Sequence, residues 1–261
     1  MRAHWYAFRS TFIAHLKQTM ARSVILIALF VQPIVFAVVT HFIYQTRQMG
    51  DLSAHVILGG GMAGVWSALT FSSASDLNRE RYYQTIGLLV ASQTSLAFIF
   101  SAKIAANAFL SLSAPITSLL FARFFLGLPI EILNPFGLIV AFMGFLFGCS
   151  GFALCLSALF LLSRSTQVFM NSLEYLLLIV GGILFPISIL PTQVRTIAQL
   201  LPLAWGMEAM RSAFREADLN TRFVLVLTIC IFLGMVYFVI SGFLIRVAER
   251  RARMLATLDL F

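Results

Sequence analysis

Polar and apolar positions along this chain fall into long blocks rather than short periods. Apolar runs occupy Val24–Tyr44, His55–Ser75, Ala102–Leu126, Pro135–Leu162, Gln167–Leu190 and Phe223–Ile245. Each is long enough to cross the ~30 Å hydrocarbon layer of a membrane as a helix. Membrane-spanning β-strands would instead show ~10-residue stretches of alternating character. The blocks predict an all-α integral membrane protein with six transmembrane helices. Only Ser163–Thr166 separate the fourth and fifth runs, which predicts a tight helical hairpin there.

The stretches between the runs carry their own patterns. In residues 1–23, Trp5, Phe8, Phe12, Leu16 and Met20 recur every three or four positions while Arg9, Lys17, Gln18 and Arg22 take other faces. This predicts an amphipathic helix lying in the inner interface, its aromatic stripe toward the acyl chains. A short helix packed on the rest of the protein is the alternative. Between the fifth and sixth runs, Phe185–Phe214 is apolar but cut by Pro186, Pro191 and Pro202. Proline removes an amide donor and blocks a continuous helix. Irregular backbone at membrane depth survives only where protein or a water-filled cavity satisfies it. The segment 186–214 is therefore expected to form re-entrant short helices. A proline-kinked seventh span is the alternative, and it would place the C-terminal arginine cluster outside. The last stretch, 246–261, reads as a basic cytoplasmic tail.

Composition agrees with the membrane reading. Hydrophobic residues make up 60% of the chain and charged residues 11%, and 26 residues are Phe. Soluble domains run nearer about 45–50% apolar and 25% charged. The first 23 residues have neither a continuous apolar core nor a small-residue cleavage site, so no cleavable signal is expected. Lysine and arginine in loops favour the cytoplasmic side. With the N-terminus inside, twelve of the 18 basic residues fall inside and six (Arg47, Arg123, Arg195, Arg211, Arg215 and Arg222) fall outside. Both termini are thus expected in the cytoplasm. The net charge of +8 is mostly this bias, aided by anionic lipid, and gives no reason to expect nucleic acid.

Catalytic signals are sparse. No Walker A pattern is present; the glycines of 58–66 lack its Gly-Lys-Ser/Thr ending, so the chain is not expected to hydrolyse ATP alone. Gly148-Cys149-Ser150-Gly151 matches the serine motif of rhomboid proteases, but Phe223–Ile245 supplies no histidine base. Cys149, Cys155 and Cys230 fit neither a zinc site nor a disulfide framework and read as packing residues. Neither a metal nor a bound cofactor is expected. Glycine pairs four apart, Gly60/Gly64 and Gly144/Gly148, permit close helix approach. Glu174 is the one ionisable residue well inside a run, with Asn171 a turn earlier. An acid at that depth costs a few kcal/mol unless paired, protonated or facing water. It is a candidate for a translocation pathway or subunit contact, or else a protonated acid bonded to a neighbouring helix.

One charged stretch stands out. Asp76, Arg79, Glu80 and Arg81 fall within six positions, and apolar character returns by Ile86. The stretch 76–92 predicts a short amphipathic cytoplasmic helix between the second and third spans. Its run RERYYQTIGLLVAS at 79–92 resembles that of ABC-2 type transporter permeases, with Arg79, Glu80, Thr85, Leu88, Leu89 and Ser92 matching. Gln84 and Gln93 stand where that family usually has Gly and Pro. GGILFPISILPTQVRTIAQLLPLAWGMEAMR at 181–211 is similar to the family's Gly-Phe-Pro, Leu-Pro and Arg series.

The resemblance implies a single ABC-2 transmembrane domain over 1–261, in a bacterial cell membrane, serving as the permease of an exporter. It implies a coupling helix in which Arg79, Glu80, Arg81, Tyr82, Tyr83, Thr85, Leu88 and Leu89 meet an ATPase. It implies an extracellular gate formed by Phe185, Pro186, Leu190, Pro191, Pro202, Trp205, Glu208 and Arg211. Spans one, two and five would line the route at a dimer interface, where Asn171 and Glu174 fall. The implied partners are two nucleotide-binding subunits holding ATP and Mg2+, a second permease identical or related to this one, membrane lipid, and an amphipathic cargo. That cargo is a drug-like or antibiotic compound or a lipid, or alternatively a lipid-linked glycan. A channel or carrier independent of ATP is the reading from a different class.

Overall fold

The computed structural model describes residues 2–45, 52–83, 94–161 and 167–255, and every regular element within them is helical. In chain order these are α1 (Arg2–Met20), α2 (Ser23–Gln45), α3 (Leu52–Tyr82), α4 (Leu96–Ser111), α5 (Ser113–Phe124), α6 (Pro135–Leu161) and α7 (Gln167–Val180). A single 3-10 turn at Ile187–Ile189 then leads to α8 (Thr192–Ala198), α9 (Pro202–Arg215) and α10 (Thr221–Leu255). Among the described residues, five stretches are long and apolar enough to cross a membrane: 25–45, 52–70, 96–124, 135–160 and 221–250.

Burial sorts these helices into inner and outer. The spanning part of α3 is 83% buried, against 29% for α2 and 22% for α10. α3 touches α2, α4, α5, α6, α7 and α9. It is the hub, and glycine is what lets neighbours reach it. A β-carbon at Gly64 would lie 2.5 Å from Cγ of Pro33 on α2 and 2.7 Å from Cβ of Ala114 on α5. One at Gly60 would lie 2.7 Å from Oγ of Ser118 and 2.8 Å from Cβ of Ala37. The four-residue glycine spacing thus marks a face with no room for a methyl group. The outer helices present Ile27, Phe30, Val35 and Phe42 of α2, and Phe232, Val239 and Phe243 of α10, side chains suited to hydrocarbon.

Several element limits differ from the sequence pattern for identifiable reasons. The third span starts earlier, at Leu96, and breaks at Leu112. Pro115 causes this, because it has no amide to give the carbonyl of Ser111 and its ring crowds that turn. The fifth run was expected to stay helical to Leu190, but α7 stops at Val180. Gly182 takes φ of +72° and Gly181 N–H returns to Leu177 O at 2.7 Å, a glycine-closed helix end. The charged residues from Asp76 to Tyr82 do not form a separate helix; they prolong α3 without interruption. Likewise α10 runs on through Leu255, into the predicted tail. Asparagines start two spans: Asn134 Oδ1 accepts Gly137 N–H at 2.7 Å and Asn220 Oδ1 accepts Phe223 N–H at 2.8 Å.

α1 lies against α4 rather than apart from the bundle. Phe8 meets Phe98 edge-on at 5.5 Å and Phe12 meets Phe109 at 6.3 Å. Part of the aromatic stripe therefore faces protein, while Trp5, Tyr6 and Met20 stay exposed. A polar contact pins the helix: buried His15 Nε2 lies 2.9 Å from Asn107 Oδ1.

Candidate functional site

α2, α3 and α7 bring three polar side chains together inside an apolar surround. The Gln32 amide donates to Ser67 Oγ at 2.8 Å and reaches Glu174 Oε1 at 3.5 Å. Ser67 is itself a hydrogen-bond partner of Glu174, and only 8% of the Glu174 surface is exposed. Two neighbouring helices thus supply the Glu174 carboxyl with donors, which is how such a group is retained at low dielectric. Beside it, Tyr175, Leu176 and Ile179 of α7 are exposed, as are Phe30, Val31 and Val35 of α2. The node therefore sits at the edge of an uncovered apolar face. Asn171 lies on α7 a turn before Glu174. Gln32 was missed in the sequence, although a glutamine before Pro33 within an apolar run is the kind of polar intrusion that marks such a partner.

One end of the bundle is tied by charge. Lys103 Nζ donates to Glu80 Oε1 at 2.7 Å, with the two side chains only 9% and 16% exposed. Lys103 also stands 5.8 Å from the centre of the Phe100 ring. A few residues away, the Leu96 amide that opens α4 donates to the carboxylate of Glu249 on α10. Glu80, expected at a partner contact, is bonded to Lys103 of the third span. Arg79, Arg81 and Tyr82 lie on the same end of α3, and Tyr83 follows it, exposed. Thr85, Leu88 and Leu89 lie outside the described residues.

The opposite end gathers the segment that joins α7 to α10. The last turn of α7 has its carbonyls of Leu177, Leu178 and Ile179 taken by amides of 181–184, and Arg211 of α9 holds the chain just beyond: its Nη2 donates to Gly182 O at 2.5 Å and Ile183 O at 3.1 Å. A cation at a helix C-terminus is favoured by the local dipole. Burial pulls the Arg211 guanidinium down to about 10, which leaves it charged at neutral pH. Tyr44 of α2 stacks on His55 of α3 at 4.2 Å, lies 6.4 Å from Phe185 and donates its hydroxyl to Leu184 O at 3.2 Å. Arg215 approaches the His55 ring at 3.3 Å. Pro202 opens α9 and is buried, with its carbonyl near Cys230 Sγ. The Trp205 indole donates to Gln199 O at 2.7 Å, and Glu208 pairs with Arg222 at 2.6 Å. Pro186, Leu190 and Pro191 flank the 3-10 turn.

Of the expected gate residues, Pro186, Glu208 and Arg211 line a common cavity, and Arg211 also holds the chain just past α7. α8 and α9 have 7 and 14 residues, short of the ~20 a crossing needs. A cavity of about 280 Å³ lies between α9, the 3-10 turn and the start of α10. A second, of about 440 Å³, is lined by Leu52, Leu128, Glu131, Phe214 and Arg215. Among the described residues no cluster of potential metal ligands occurs. Cys149, Cys155 and Cys230 are free and buried, and Gly148 of the serine motif packs on Pro202 and Cys230.

Long apolar helices around a glycine-faced hub, with an acid held by polar donors between them, define a multi-pass all-α membrane protein. The model of the ABC-2 type transporter family matches residues 6–214. That covers four-fifths of the sequence, and the chain belongs to this family: it is a transport permease, a transmembrane subunit of an ABC transporter. No curated protein matches it.

Proposed function

We propose that this chain is the membrane subunit of an ATP-driven exporter that moves an amphipathic molecule out of a bacterial cell. ATP and Mg2+ are bound and turned over by separate nucleotide-binding subunits, two of which act with two permeases. The observation that carries the reading is the Gln32–Ser67–Glu174 node, set in a domain of this family and opening on the exposed apolar faces of α2 and α7. A second permease placed on those faces would enclose a mostly apolar route with one acidic point. That composition suits a drug-like compound or a lipid better than a small ion, which needs a continuous wet lining.

The end of α3 from Arg79 to Tyr83 is the contact for the ATPase, and its ion pair to Lys103 passes displacement into the third span. Pro186–Arg211 closes the far end. The test is affinity purification of the tagged chain from mild detergent, with mass spectrometry of whatever accompanies it. A stoichiometric companion carrying a Walker A motif, together with ATP-dependent uptake of amphipathic dye into inverted vesicles, supports the reading. Recovery of the permease alone, with transport indifferent to ATP, would transfer it to the channel or carrier class.

A further inference from the structure

The cavity at the far end has a composition that transport as such does not require. Its wall holds four arginines, Arg195, Arg211, Arg215 and Arg222, against two acids, Glu208 and Glu216. Both acids are engaged: Glu208 by Arg222 at 2.6 Å and Glu216 by the Asn220 amide at 2.6 Å. Arg195 has no side-chain partner among the described residues. The Nε of Arg211 is buried and unpaired, although its Nη2 donates to the carbonyls of Gly182 and Ile183 just past α7. The wall therefore carries an excess of two positive charges within about 280 Å³, below the span of roughly 300–1,000 Å³ typical of sites for whole drug-sized ligands. In the same segment, Ile189, Ile197 and Leu200 are exposed at 47%, 58% and 61%. A cationic recess in a segment that also exposes apolar side chains has the polarity of a lipid turned head-inward.

We propose that this recess binds a phosphate-bearing headgroup, whose hydrophobic tail lies along Ile189, Ile197 and Leu200. Guanidinium forks match phosphate oxygens two at a time, and the bonds they make are charge-assisted. Arg195 supplies the free fork and Arg211 a fixed positive wall. Ser188 and Ser212 line the recess and add hydroxyl groups. Binding of this kind needs no ATPase, so its test is separable from the export reading.

The experiment uses the purified full chain in a neutral maltoside detergent. Dioctanoyl phosphatidic acid, dioctanoylglycerol and inorganic phosphate are titrated separately, with thermal stabilisation and native mass spectrometry as readouts. The phosphatidic acid is expected to bind and stabilise, and the diacylglycerol with the same tails is not. Arg195→Gln is expected to weaken binding about tenfold, the loss of one charge-assisted hydrogen bond, and Arg195→Glu to abolish it. Arg195 is exposed and unpartnered, so neither change threatens folding; Arg123→Gln, at the end of α5, is the charge-matched control. Stabilisation by inorganic phosphate to the same extent would identify a free phosphate site, and stabilisation only by the lipid would identify a headgroup with its tails. Equal binding by wild type and Arg195→Glu, or equal effects of the two diacyl compounds, would overturn the proposal.

Discussion

Glu174 shows how much one side chain can carry in this setting. Its carboxyl is tied to Gln32 and Ser67, so Glu174→Gln keeps the shape and most of the hydrogen bonding but removes the acid. We expect that variant to assemble normally by size-exclusion chromatography and to transport at an altered rate; full activity would reduce the acid to a packing role. Gly64 is constrained in the opposite sense, by space. Gly64→Ala drives a methyl against Pro33 and Ala114, and overpacking of that kind costs about 1–3 kcal/mol. The expected result is a lowered thermal midpoint in detergent. Gly242→Ala, where nothing lies within 4 Å of the added carbon, should leave it unchanged.

At the scale of elements, the question is what holds one helix to another. Glu80 and Lys103 join α3 to α4 through a pair with little exposure. Removing one partner of such a pair typically costs about 3–5 kcal/mol because the other is left uncompensated. Lys103→Met should therefore destabilise the fold strongly by thermal denaturation, and the exchanged pair Glu80→Lys with Lys103→Glu should recover part of the loss. This pairing was not legible in the sequence: the residues belong to different blocks, and Glu80 read as a residue waiting for a partner protein. The helices themselves were legible, since 20-residue apolar blocks have few other fates in a membrane. Their ends were less so. Gly181-Gly182 and Pro115 are plain in the sequence, but each sits inside a run whose apolar character continues past it, so the break is a matter of backbone chemistry that composition does not mark. The Gln32–Glu174 contact spans 142 positions, a proximity that no local pattern encodes.

For the molecule as a whole, the charge bias predicts which end faces which compartment. The three native cysteines are buried, so single introduced cysteines report cleanly. Arg195→Cys should react in intact cells with a maleimide that cannot cross membranes, and Tyr83→Cys only after permeabilisation; the reverse pattern would invert the orientation. The fold also has an order in time. α10 follows every element it touches, yet α4, α6 and α9 all lean on it. Glu249 near its end supplies the acceptor for the first amide of α4. During synthesis those surfaces must wait in the bilayer, the glycine face of α6 without Leu227 and Cys230 and the start of α4 without its acceptor. A ribosome that stalls before Thr221 would thus leave an inserted but open bundle, with the faces of α4, α6 and α9 that meet α10 uncovered.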